Sequence, residues 1–224
     1  KQQKGKEMAQ KLLDLSVEIK GTPAEFYLRE NRKIKDTDLP KDCRYLKPYK
    51  DKNGVERPGA LISFVRNQQN EITGYQKIHL TSDGQKNKES SIIKQSGGYL
   101  KGSFVSVQKG EGPLYVAEGL ETALSLKEAG IKGEILCGLG QWAFKNTPQD
   151  ENNPNRPIVL VADWDGENSN THTSIDKYKD LIQARGQPVQ ILWPAKEGPK
   201  CDFNDLLQKE GVKKIQSLIK DQMG

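Results

Sequence analysis

Leu114-Tyr115-Val116-Ala117-Glu118-Gly119-Leu120-Glu121-Thr122-Ala123-Leu124-Ser125, and further on Pro157-Ile158-Val159-Leu160-Val161-Ala162-Asp163-Trp164-Asp165-Gly166, carry the signal that decides the fold of this chain. Each opens with an uninterrupted apolar run of strand length and ends on an acid followed by glycine, which lets the backbone turn sharply into the next element. Helical patterns follow them, at Leu120 to Ala129 and at Thr173 to Arg185, the latter closed by Gly186. Glu134 to Cys137 reads as another strand, leading into Gly138-Leu139-Gly140 and a short helix. Val189 to Trp193 reads as one more, and the end is helical through Leu206 and Leu218. Apolar strands alternating with helices predict a mainly parallel sheet with helices on both faces.

Three acidic groups fall just past the carboxyl ends of these strands, where open α/β sheets bind ligands. They are Glu118, the pair Asp163 and Asp165, and the Asp202-Phe203-Asn204-Asp205 segment. An isolated acid at such a place is ordinarily a turn former or helix cap. Several at one sheet edge repel one another and need a cation, a proton or a basic partner. Hard oxygen ligands suit Mg²⁺ or Mn²⁺, with water and phosphate completing the shell. Asp202, Asn204 and Asp205 are equal candidates for the third ligand, and Glu121, at a helix start, reads as a cap.

Upstream the chain is different. Residues 1–110 hold 22 Lys and Arg against 13 Asp and Glu, a net of +9; residues 111–224 hold 13 against 17, a net of −4. A basic half beside an acidic half is what a polyanion-binding surface next to a metal site requires. Met8 to Leu15 predicts a short amphipathic helix, and Thr22-Pro23-Ala24-Glu25 starts another that runs to about Asn31. Lys33 to Pro58 reads as loops around a strand near Cys43 to Leu46. Gly59 to Arg66 and Glu71 to Leu80 form a hairpin across Asn67-Gln68-Gln69-Asn70. Ser96-Gly97-Gly98 reads as a break before a short strand at Ser103 to Val107, and Lys109 to Pro113 as a boundary. Gln149 to Arg156 reads as a flexible surface loop.

Glu118-Gly119-Leu120-Glu121-Thr122-Ala123, then Val161-Ala162-Asp163-Trp164-Asp165-Gly166, then Lys200-Cys201-Asp202-Phe203-Asn204-Asp205 resemble the Toprim domain of bacterial-type primases, topoisomerases and certain nucleases. The form of the first motif resembles the branch found in plasmid, phage and mobile-element primases; the last resembles the Lys-Asp-x-Asn-Glu signature of primases, with Cys201 inserted. The resemblance implies a Rossmann-like Toprim domain over 111–224, preceded by a smaller α+β basic lobe over 1–110 that resembles the lobe before Toprim in these primases. It implies a DNA primase-type nucleotidyltransferase that makes RNA primers from nucleoside triphosphates on single-stranded DNA. Asp163 and Asp165 then hold metal, Asp202 or Asp205 completes a second site, and Glu118 ligates metal or handles the proton of the attacking 3′-hydroxyl. In the lobe, Arg66, Lys77, Lys86, Lys88 and Lys94 are the candidate phosphate contacts, Lys77 and Lys94 foremost. Tyr75 and His79 read as packing residues rather than base-stacking ones. Primases of this group also carry an upstream zinc-binding domain and fusions to helicase or relaxase parts.

The same carboxylates also suit a metal-dependent Toprim nuclease, or a non-catalytic nucleic-acid-binding module of a larger replication or conjugation protein. The Asp163-Trp164-Asp165 strand end resembles haloacid-dehalogenase-type phosphatases, but Glu167 stands where that pattern wants Thr or Val, and the strand comes late in its domain. No apolar run approaches the roughly 20 residues that span a bilayer, and the polar start from Lys1 to Gln10 gives no secretory signal. Cys43, Cys137 and Cys201 lack zinc-site spacing and, as free thiols, fit a reducing cytoplasm. A first residue of Lys rather than Met is what an excised fragment, or a chain that has lost leading residues, would show.

Overall fold

The computed structural model describes all residues except Lys1, Lys52, Ser90, Ser91, Glu151 and Lys196, and omits the side chain of Thr171. The chain divides into two units, one ending at Val105 and the next beginning at Ser106.

The first unit opens with α1 (Gln2–Leu15) and β1 (Ser16–Val17), then α2 (Pro23–Phe26), which widens into a π-helical turn at Tyr27–Asn31. The Glu25 carboxylate reaches back to accept the Gly21 amide at 2.7 Å, so the expected acid does serve the helix start. There follow β2 (Cys43–Leu46), β3 (Tyr49–Lys50), β4 (Glu56–Arg57), β5 (Ala60–Arg66), β6 (Ile72–His79) and β7 (Lys94–Gly98). β3 and β4 form a small hairpin within what the sequence suggests are loops. The other strands make one sheet ordered β1-β2-β5-β6-β7. β5 and β6 pair antiparallel as expected, with Phe64 opposite Tyr75 and a bulge between Val65 and Arg66. Ala9 and Leu12 of α1 close the core against Leu46, Ile62, Phe64, Ile72 and Tyr75.

Ser96-Gly97-Gly98 is not a break. It ends β7, with Gly98 opposite Gly74 and Gly97 opposite Tyr75. The glycines serve close approach: a Cβ on Gly5 of α1 would lie 2.8 Å from Gly98 Cα, and one on Gly98 would lie 2.7 Å from Gly74 Cα. Helix, edge strand and its neighbour meet backbone to backbone, which no larger residue permits.

The second unit contains β8 (Val105–Gln108), β9 (Leu114–Ala117), α3 (Leu120–Glu128), β10 (Glu134–Cys137), α4 (Trp142–Lys145), β11 (Ile158–Val161), α5 (Asn170–Gln183), β12 (Val189–Leu192), α6 (Phe203–Glu210) and α7 (Val212–Met223). Its sheet is ordered β12-β11-β9-β10-β8, and β12, β11, β9 and β10 run parallel. This is the α/β architecture expected. The step from β9 to β10 and the step from β11 to β12 go opposite ways across the sheet. Right-handed crossovers therefore put α3 and α5 on opposite faces, and α3 packs with α6 while α4 packs with α5. The Asn152–Arg156 turn is anchored rather than loose, because Arg156 donates to Gly112 O and Glu134, each at 2.8 Å; Glu151 lies outside the described residues. Among the described residues no helix is long and apolar enough to cross a membrane.

Candidate metal and phosphoryl-transfer site

β9 and β11 are neighbours whose following helices leave in opposite directions, so a crevice opens beyond their carboxyl ends. Their register aligns Ala117 with Val161, and Ala117 also pairs with Cys137. Glu118 and Asp163 consequently emerge side by side at the switch point. Gly119 sits beside Asp163: a Cβ built on it would lie in ordinary contact, 3.9 Å from Asp163 Oδ2. Thr122, one turn into α3, donates its hydroxyl to Asp163 Oδ1 at 2.9 Å.

The Asp202 segment joins this edge through Trp164. Trp164 and Cys201 exchange two backbone hydrogen bonds of 2.8 Å, and Trp164 Nε1 donates to Gly198 O at 3.1 Å. Trp164 is itself held by edge-on contacts with His172 and Trp193, at ring-centroid distances of 5.4 and 5.9 Å. Asp202 then caps α6: its Oδ1 accepts the Asp205 amide at 2.7 Å, and Asp205 Oδ2 accepts the Asp202 amide at 3.1 Å. This capping box engages Asp202 and Asp205 alike at the helix start. Asn204 is buried, its amide donating to Ser125 Oγ at 3.0 Å and its carbonyl accepting from Gln208 at 2.8 Å, which ties α6 to α3. Of the three candidates in this segment, Asp202 is the one whose charge bears on Asp163.

The electrostatics show how crowded the edge is. Burial, then the negative charges of Asp202, Glu118 and Asp165, push the Asp163 carboxyl up to about 7, against a smaller opposing pull from the Thr122 hydroxyl. Asp202 is raised too, first by burial and in part by Asp205 and Glu121. Glu121 lies in the first turn of α3, as a helix-start acid should, but it is buried there and its charge reaches Asp202. An open cleft of about 690 Å³ runs from Glu118 and Gln141 past Asp165 to Asn170 and Lys200.

Among the described residues, no three His, Cys, Asp or Glu side chains are arranged to hold an ion as they stand. The donor set nevertheless fits a divalent cation. Mg²⁺ characteristically takes one or two carboxylates and draws the rest of its octahedron from water and substrate phosphate, and a cation would offset the burial and the neighbouring charges that raise Asp163. Glu118, Asp163, Asp165 and Asp202 are the residues that would provide it. The sequence reading overlooked Thr122, whose only signal is its place one helical turn after the Glu118-Gly119 corner. It placed Lys200 in the primase-like motif but gave it no role at the site.

The basic candidates of the first unit fall into distinct environments. Lys77 faces inward opposite Ile62, is 5% exposed, and its ammonium lies about 6 Å from the rings of Tyr49 and Tyr75. Arg66 is engaged by Asp42, with contacts of 2.8 to 3.0 Å. Lys86 is half-buried, 5.8 Å from the Tyr27 ring centroid. Lys88 and Lys94 are exposed. His79 and Tyr75 are buried, as expected of packing residues.

Comparison with known proteins agrees with this geometry. Residues 113–213 match the family model described as Toprim domain, and residues 3–107 match a domain of unknown function (DUF7146). No curated protein matches. The DnaG primase catalytic domain solved bound to single-stranded DNA superposes with a TM-score of 0.57 at 11% identity, over 98% of this chain and 81% of that one. The primase fragment of the bacteriophage T7 primase-helicase protein gives 0.50 at 14% identity, over 79% of this chain and 66% of that one. The DnaG catalytic core gives 0.50 at 13% identity, over 72% of this chain and 52% of that one. At such identities the likeness is one of fold. The second unit of this chain thus matches a Toprim domain, and the chain shares its fold with primase catalytic cores.

Proposed function

We propose that the chain is the catalytic core of a primase-type nucleotidyltransferase, joining ribonucleotides on a single-stranded DNA template with Mg²⁺ or Mn²⁺. One observation carries the reading most: the charges of Glu118, Asp165 and Asp202 all bear on Asp163 at the switch point of the sheet, next to a cleft large enough for a nucleotide. Such a grouping calls for a cation, a proton or a basic partner.

A divalent ion held there supplies charge neutralisation on a triphosphate and a lowered pKa for an attacking hydroxyl. The chain's own residues do the rest. Asp163 and Asp165 act as the principal oxygen ligands, Asp202 as a further one, and Glu118 either joins them or accepts the proton of the 3′-hydroxyl. Thr122 orients Asp163. In the first unit, Lys88 and Lys94 are the cations best exposed for a phosphate backbone, with Lys86 beside them in sequence. Lys77 and Arg66 serve the lobe's own packing before they serve a ligand. Three free thiols, two of them buried, suit a reducing cytoplasmic setting, and helicase, relaxase or zinc-binding parts would be supplied by a larger assembly.

The test is incubation of the chain with labelled single-stranded DNA and Mg²⁺ or Mn²⁺, with and without ribonucleoside triphosphates. Extension that needs nucleotides supports the reading. Nucleotide-independent cleavage would instead make the protein a Toprim nuclease, and binding without either reaction a non-catalytic module.

A further inference from the structure

The Lys200 ammonium stands 3.0 Å from Asp165 Oδ1, with side chains 77% and 43% exposed. Lys200 is not a wandering surface lysine. The loop that bears it is fastened on both sides, at Gly198 by the Trp164 indole and at Cys201 by the paired backbone hydrogen bonds with Trp164. The backbone is fixed while the long stem remains in solvent. Both partners line the same cleft as Glu118 and Gln141.

We propose that Lys200 is a resident counter-ion of Asp165 which a divalent cation displaces, and that the displaced ammonium then takes a phosphate oxygen of the nucleotide triphosphate in the same cleft. The inference rests on the metal reading above and deepens it. A carboxylate that ligates a divalent cation cannot keep an ammonium beside that cation without strong like-charge repulsion. The pair is exposed, so it is weak and easily exchanged. A lysine is a compact point charge on a flexible stem, suited to following a phosphate over a few ångströms. Lys200 thereby keeps Asp165 compensated until substrate and metal arrive together.

The test is calorimetric titration of the full chain with Mn²⁺, comparing wild type with Lys200→Ala and Lys200→Arg. Lys200→Ala should bind Mn²⁺ about two- to fivefold more tightly at low salt, the range set by an exposed ion pair. Lys200→Arg should stay near wild type, and the gain should shrink as salt screens the charge. With Mn²⁺ saturating, Lys200→Ala should bind a non-hydrolysable nucleoside triphosphate several-fold more weakly. A residue that merely braced the site would give the opposite sign for metal. Mn²⁺ binding in Lys200→Ala that is unchanged or weaker, with wild type binding normally, overturns the counter-ion role. Unaltered nucleotide binding overturns the phosphate role. Absence of Mn²⁺ binding in every protein overturns the metal reading itself and this inference with it.

Discussion

Replacing Asp163 with Asn should abolish activity and yet make the metal-free protein more stable. In the folded chain the Asp163 carboxyl is pushed from 3.8 up to about 7, so above neutral pH folding must hold an anion that burial and three neighbouring carboxylates oppose. At about 1.36 kcal/mol for each pH unit between those values, the cost approaches roughly 4 kcal/mol. An amide removes it while still accepting the Thr122 hydroxyl. Because the folded value lies above the unfolded one, the wild type's stability is full below pH 4 and is lost as pH rises through 7. The advantage of Asp163→Asn should therefore be small near pH 4, grow through pH 5 and 6, and level off above 7. Even half the full figure corresponds to a rise in Tm of at least about 4 °C for a chain of this size. Thermal unfolding in chelator across this pH range measures it. Saturating Mg²⁺ or Mn²⁺ should close the gap by stabilising the wild type alone, while catalysis by the variant falls at least ~10²-fold. A gap independent of pH, or one that metal leaves untouched, would refute the idea that these carboxylates share one cation.

Thr122→Val should push Asp163 still higher and move the pH profile of activity upward, whereas Thr122→Ser should keep the wild-type profile; a pH series on both variants reads the difference. Gly5→Ala forces a methyl against the Gly98 backbone and should cost about 1–3 kcal/mol in urea unfolding. Lys88→Ala with Lys94→Ala should weaken single-stranded DNA binding and flatten its salt dependence by roughly 0.7 for each phosphate no longer neutralised, while Lys77→Ala should lower thermal stability and leave the salt slope unchanged.

The second unit is legible in the sequence because its two central strands, β9 and β11, are short, wholly apolar and punctuated by an acid and a glycine, so composition separates strand from turn there. The position of Glu118 and Asp163 follows from strand ends, which local sequence reveals. What stays hidden depends on partners distant in the chain. β7 carries polar residues and two glycines, and looks like a strand only once α1 is known to lie on its backbone. Lys77 looks like a surface cation in isolation; the register opposite Ile62 turns it inward. Asp202 and Asp205 are equivalent on paper; their reciprocal capping bonds, and the bearing of the Asp202 charge on Asp163, exist only once α6 has formed. Glu121 reads as a helix-start acid and is one; its burial and its effect on Asp202 depend on α6 packing against α3, which local sequence does not reveal.

Trp164 lies between two of the site's acids and leans edge-on against Trp193, leaving Trp142 as the chain's remaining indole. Two of the three indoles therefore stand at the segment that carries Asp163 and Asp165. Any event that shifts Asp163, Asp165 or the loop clipped to Trp164 should alter the colour or yield of their ultraviolet emission, giving the molecule a built-in optical gauge of ligand arrival that requires no dye.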